Sequence, residues 1–139
     1  MITLTQDQAA RLGIAGLGHR RETKYHNQHV VVDGIRFDSK AEAERYGELR
    51  MLEQAGEITN LRAHPSFIIV DADEHGRAMH YVADSMYMDW RGELGEITVE
   101  DVKALDRKGR RPTCTPLWRL KWRLAQARFP HYTFRVEER

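Results

Sequence analysis

Apolar residues recur along this chain in two periods, and the switches between them divide it into elements. Val30-Val31-Val32 and Ile35-Arg36-Phe37 are β-prone runs separated by Asp33-Gly34, the signature of a two-residue β-hairpin. Asp38-Ser39 then caps a helix predicted from Lys40 to about Ala55, with Gly56 as the glycine that ends it. Tyr46, Leu49 and Leu52 mark its apolar stripe. Beyond Ile58, Leu61 and His64-Pro65, the run Phe67-Ile68-Ile69-Val70 predicts a strand. A turn over Asp71–Arg77 leads to a second strand over Ala78–Asp89, on which Val82, Asp84, Met86 and Met88 share a face. After a turn over Trp90–Glu96 comes a third strand, Ile97–Leu105, and then a polar, basic loop, Asp106–Pro112. Thr115-Pro116 opens a second helix that runs to about Phe129, before Pro130. Leu117, Leu120, Leu124 and Ala127 are its expected buried side, with Trp118 and Trp122 interleaved, and Tyr132–Val136 is a last strand. This order predicts an α/β sandwich on a mixed sheet.

Ahead of the hairpin, Thr5 and Gln8 form a capping box for a short helix from Gln6 to about Leu12, ended by Gly13. That text is similar to the opening of a helix-turn-helix, but Ala15-Gly16-Leu17-Gly18 supplies no recognition helix. From Gly16 to Gln28 there is no periodicity, and His19, Arg20, Arg21 and Lys24 make a basic arm suited to a phosphate backbone. The chain thus divides into an N-terminal helix and arm, 1–28, and one folded domain, 29–139.

Three carboxylates, Glu42, Asp84 and Asp101, stand at positions where core periodicity asks for apolar groups. Glu42 stands on the stripe of the first helix, four residues before Tyr46 and seven before Leu49, whereas Glu44 and Glu48 lie off it. Ser39-x-x-Glu42 is also a capping box, and a carboxylate can cap a helix and still lie near a metal. Asp84 is the one charge on its apolar strand face. In Ile97–Leu105, Asp101 and Lys103 share a face while Glu100 looks the other way and is not an expected ligand. An Asp-x-Lys pair can hold a metal beside a phosphate, or form a plain ion pair. Carboxylates ~4 Å apart repel by about 4 kcal/mol at an effective dielectric near 20, so a cluster of them requires a cation or a proton. A donor set of oxygens, with no paired histidines at metal spacing, suits Mg²⁺ or Mn²⁺ rather than zinc.

At 139 residues the chain fits one domain that buries roughly 70% of its unfolded surface. Its one cysteine, Cys114, excludes an internal disulfide and a thiolate metal cluster and fits a reducing, cytoplasmic setting. No apolar run reaches membrane-spanning length, and the polar N-terminus lacks a signal-peptide core. The formal net charge of +1 hides an acidic stretch from Asp71 to Asp101 followed by a basic one from Lys103 to Arg128. That division suits a cation-binding centre beside a polyanion-binding surface, or two faces that pair with each other.

The ordered motifs resemble the PD-(D/E)XK nuclease superfamily, and more narrowly a small phage- and prophage-associated family of unassigned function. The resemblance is carried by Lys24-Tyr25, the hairpin text Gly34 to Ala43, Tyr46 with Leu49, the turn Ala55 to Ile58, Tyr81 with Asp84, and Glu100 to Lys103. It spans about Lys24 to Val136. Two departures are Ala83, where a proline often precedes the aspartate, and Ala104, where glycine commonly follows the lysine. The resemblance implies a restriction-endonuclease-like α/β sandwich with a central mixed sheet flanked by helices. It also implies a metal-dependent DNA endonuclease in phage-related DNA processing or recombination, resolvase-like or nicking, in the host cytoplasm.

Glu42, Asp84, Asp101 and Lys103 match the catalytic positions. Asp84, Asp101, the Val102 carbonyl and Glu42 are the implied ligands of Mg²⁺ or Mn²⁺. His64 stands where the family often has glutamine and is assigned a peripheral or structural role. Arg20, Arg21, Arg119, Lys121 and Arg123 are the expected DNA contacts. Cutting both strands would need two sites, so a homodimer is expected; a membrane and an organic cofactor are not. The alternatives are a non-catalytic nucleic-acid-binding or assembly protein on the same fold, and a purely structural domain.

Overall fold

Asp33 and Gly34 both take positive φ, 52° and 76°, which is what a type I′ turn requires at its two central residues. They join β1 (Val30–Val32) to β2 (Ile35–Phe37) in an antiparallel hairpin closed by Val32 opposite Ile35. The structure, a computed structural model, describes residues 29–139. The expected helix Gln6–Leu12, the arm with Arg20 and Arg21, and Lys24-Tyr25 lie outside the described residues.

Helix α1 (Lys40–Gln54) starts at Ser39, whose side-chain oxygen accepts from the Glu42 amide. It stops because Gly56 adopts a φ of 75°. The Gly56 amide then reaches the Glu53 carbonyl and the Glu57 amide the Leu52 carbonyl, a Schellman closure. Tyr46 and Leu49 are buried on its inner side, as expected. Phe37, Ala43 and Tyr46 form one core cluster under the hairpin, and Leu49, Ile58 and Tyr87 another.

The next four strands make one bent antiparallel ribbon. β3 (Ile58–Ala63) pairs with β6 (Ser85–Asp89), and β4 (Ser66–Val70) pairs with β5 (Met79–Val82). Between the two pairs the ladder continues: the His64 amide donates to the Asp84 carbonyl at 3.0 Å, and the Ala83 amide to the Pro65 carbonyl at 3.1 Å. At this bend β3 and β6 belong to the four-stranded sheet β3-β6-β7-β8, while β4 and β5 form a separate two-stranded sheet. The single strand expected over Ala78–Asp89 is therefore two strands with Ala83-Asp84 at the break, and its buried positions are Tyr81, Ala83, Ser85 and Tyr87 rather than the expected face of Val82, Asp84, Met86 and Met88.

Periodicity predicts no strand over Ile58–Ala63. A bulge explains its absence from the pattern: Asn60 has a φ of 55° and the register shifts between Thr59 and Arg62. The extra residue puts Ile58 and Leu61 against the same cluster despite their odd spacing.

β7 (Glu96–Lys103) is the central strand, antiparallel to β6 and parallel to β8 (Thr133–Glu138). Parallel neighbours need a long crossover, supplied by α2 (Pro116–Arg128). The result is an α/β sandwich with a mixed four-stranded sheet. α1 lies by one face; α2, packed with the β4-β5 ribbon, lies by the other, around Phe67, Ile69, Tyr81, Val99 and Ala125. The buried side of α2 differs from the expected leucine stripe. Trp118, Trp122, Leu124, Ala125 and Phe129 face this core, while Leu117, Leu120 and Ala127 are exposed. The two indoles offer more apolar area than the leucines, and Trp118 carries an N–H that finds a partner inside. No helix among the described residues is long and apolar enough to cross a membrane.

Thr98 through Lys103 are all buried, so the charges on β7 must be matched locally. On the α1 side Glu100, with no exposed surface, accepts from Arg45 Nε at 2.6 Å and Nη2 at 3.0 Å, and from the Tyr87 hydroxyl at 2.9 Å. Arg45 also bonds Glu48, which is bonded in turn by Arg139 at the chain's end. Breaking such a pair from one side leaves a charge stranded in the core. Arg45→Met should cost about 3–5 kcal/mol in denaturant unfolding, with most of it regained in Arg45→Met/Glu100→Met. A loss well under 1 kcal/mol in the single variant would contradict a dry, bidentate pair.

Candidate metal and active site

The bend in the ribbon is where the candidate site assembles. Asp84 sits at the break between β5 and β6, its amide bonded to the Glu100 carbonyl at 3.1 Å and its carbonyl to the His64 amide. Its Oδ2 accepts from the Val102 amide at 2.6 Å, tying the side chain to the middle strand. In a strand the N–H and C=O of one residue point to the same neighbour, so the Val102 carbonyl faces the Asp84 edge as well.

Glu42 reaches the same place from the first turn of α1. Its Oε2 also accepts from the Asp38 amide at 3.3 Å. The capping box thus closes one residue earlier than the expected Ser39 amide, while the Ser39 half of the box stands. Ligand atoms of Glu42, His64 and Asp84 all lie within 4.8 Å of one another. Three groups so placed can share one cation.

Asp101 lies outside that group but close enough for its carboxyl to raise the Asp84 pKa. On the α2 side of β7 its Oδ2 accepts from the Tyr81 hydroxyl at 2.5 Å and from Trp118 Nε1 at 2.7 Å. Its Oδ1 lies 3.3 Å from Lys103 Nζ, which sits 4.4 Å from the centre of the Trp118 ring in a cation–π contact. Asp101 and Lys103 therefore share a face, and Glu100 occupies the opposite one.

The structure thus groups Glu42 and Asp84 with His64, ties Asp84 to Val102, and sets Asp101, paired with Lys103, beside Asp84. Arg119 and Arg123 are exposed on α2 and Lys121 is half-buried there; none of the three has an ion-pair partner among the described residues. Other members of the basic stretch are neutralised within the fold: Arg128 by Asp71, Arg110 by Asp106 and Arg111 by Glu138. Sequence reasoning assigned no site role to Tyr81 or Trp118 and kept His64 at the periphery. The available signals were the Tyr-x-x-Asp spacing and a tryptophan on a basic helix.

Burial holds the Asp84 carboxyl above the ordinary aspartate value of 3.8, up to about 9; the bond to Asp101 and the charges of Asp101 and Glu42 add to the shift, and the Val102 amide opposes it. Glu42 is also raised, mainly by burial. Burial and then the Asp101 charge push the Tyr81 hydroxyl far above its usual range, so it stays a donor. An acid raised in this way binds its proton more tightly in the folded chain. Its contribution to stability is complete below 3.8 and is lost as pH rises toward about 9. In chelator, thermal unfolding should show stability falling across that interval, and Asp84→Asn, which cannot ionise, should flatten the fall. Parallel profiles for the two proteins would contradict the burial of this carboxyl beside Asp101.

Fold and site define a small α/β-sandwich protein with a carboxylate-rich, histidine-containing cluster at a bend in its sheet. Residues 22–132 match the family described as "Protein of unknown function (DUF1064)", and the chain belongs to that family. No curated protein and no solved structure matches the chain.

Proposed function

We propose that this protein is a divalent-metal-dependent DNA endonuclease of the PD-(D/E)XK, restriction-endonuclease-like kind. The observation that carries the reading is the convergence of Glu42 from α1, Asp84 from the ribbon bend, and Asp101 with Lys103 from β7. A buried carboxyl, Asp101, beside a half-buried one, Asp84, fits a cation better than a bare pair of charges, because one of them must otherwise hold a proton. Asp84, Asp101 and Glu42, with the Val102 carbonyl, would hold Mg²⁺ or Mn²⁺. When bound, such an ion supplies a polarised phosphate and a water of lowered pKa.

The remaining roles fall to the chain's own groups. Lys103 presents a cation beside the carboxylates, where negative charge develops on a phosphate under attack. Tyr81 and Trp118 hold Asp101 Oδ2 and leave Oδ1 toward Lys103. The Trp118 ring restrains the Lys103 stem. Arg119 and Arg123, with Lys121 and the arm around Arg20 and Arg21, would contact phosphates and set register without reading sequence. A homodimer would supply the second site needed to cut both strands. Phage-related DNA processing, resolvase-like or nicking, is the setting proposed.

The test is cleavage of labelled duplex, nicked, branched and single-stranded DNAs with Mg²⁺, Mn²⁺ or chelator. Asp101→Ala and Lys103→Ala should each lose at least about 10²-fold in metal-dependent cleavage while remaining folded and able to bind DNA. Undiminished cutting by both variants would refute the reading. Binding without metal-dependent cutting by the wild type would instead assign a non-catalytic DNA-binding protein.

A further inference from the structure

We propose that His64 is itself a metal ligand and that its imidazole makes the site favour Mn²⁺, as representative of the first-row transition ions, over Mg²⁺. The proposal rests on reading the cluster as a divalent-metal site. Judged by its carboxylates alone, the site offers only oxygen, a set that serves Mg²⁺ and Mn²⁺ alike. The structure adds a nitrogen: a ring nitrogen of His64 stands within 4.8 Å of a ligand oxygen from both Glu42 and Asp84.

His64 is placed there by the fold. It lies between β3 and β4, at the ribbon bend, with a φ of 51°. Histidine tolerates that left-handed conformation better than most residues, but the following Pro65 narrows its backbone further. The conformation is held by the bond from the His64 amide to the Asp84 carbonyl at 3.0 Å. The Phe37 ring, 5.3 Å away, covers the imidazole from the hairpin side.

A nitrogen donor changes which ion fits. Mg²⁺ takes oxygen ligands, demands near-ideal octahedral geometry and keeps several waters. Carboxylate oxygens suit Mn²⁺ as well as Mg²⁺, whereas imidazole suits transition ions. A set of carboxylates with one imidazole therefore keeps its attraction for a hard ion and adds a preference Mg²⁺ cannot use.

The test compares the wild type with His64→Asn, which accepts a left-handed backbone and replaces the nitrogen donor with an amide. His64→Ala serves as a second variant, and melts in chelator check that both fold. Mn²⁺ and Mg²⁺ chloride are titrated by calorimetry, and the Mn²⁺ complex is examined by pulsed electron paramagnetic resonance for coupling to a directly bound ¹⁴N. The expected result is a ¹⁴N coupling in the wild type that vanishes in both variants. Mn²⁺ affinity should fall by about tenfold or more, with Mg²⁺ affinity changed far less. Mn²⁺ bound without ¹⁴N coupling, with selectivity intact in the variants, would overturn the role of His64 and leave the metal site standing. No binding of either ion to the wild type would overturn both.

Discussion

A strand buried on both faces can carry charges only if each finds a partner within reach. β7 carries three in four residues, and the fold meets them in two different ways. Glu100 is closed off by Arg45 and Tyr87, and both of its carboxylate oxygens accept from them. Asp101, one residue on and on the opposite face, is held by Tyr81, Trp118 and Lys103 yet still adjoins a second carboxyl. The first arrangement is complete within the protein. The second sets two carboxyls side by side, and burial with the neighbouring charge raises Asp84 well above the ordinary aspartate value.

The complete side positions the incomplete one. Arg45 lies one turn beyond Glu42 on α1, and Glu100 is next to Asp101 on β7, so their bidentate bond fixes the helix against the strand close to the site. The bend in the ribbon does the same for the other half. Because the β3-β6 ladder passes into β4-β5 at residues 64–65 and 83–84, His64 and Asp84 are opposed across the bend. Three separate segments thereby deliver Glu42, His64 and Asp84 to one spot, with β7 alongside.

Much of this was legible in the chain. Asp33-Gly34, Ser39 and Gly56 each encode a backbone conformation that is local, so the hairpin and both ends of α1 fall where those residues predict. The placement of Asp101 and Lys103 opposite Glu100 follows from strand geometry alone. What failed depended on contacts distant in sequence. The Asn60 bulge disguised β3, and the break at Ala83-Asp84 hid two strands inside one pattern. The rotation of α2 turns Trp118 and Trp122 to the core and brings Trp118 onto Asp101, a contact no helical period contains. Arg45 looks like an ordinary surface arginine until Glu100, fifty-five residues away, is set against it. His64 has no metal-spacing partner along the chain, since its neighbours in the cluster come from other segments.

The proposed metal site has Glu42, Asp84 and Asp101 around a divalent cation beside Lys103. A crystal structure of the protein soaked in Mn²⁺, with anomalous data collected near the manganese edge, addresses it most directly. The account predicts one strong anomalous peak within about 2–2.5 Å of Asp84 and Asp101 oxygens, with Glu42 bound directly or through water. A peak elsewhere, or none while Asp84 and Asp101 stay in contact, would contradict it.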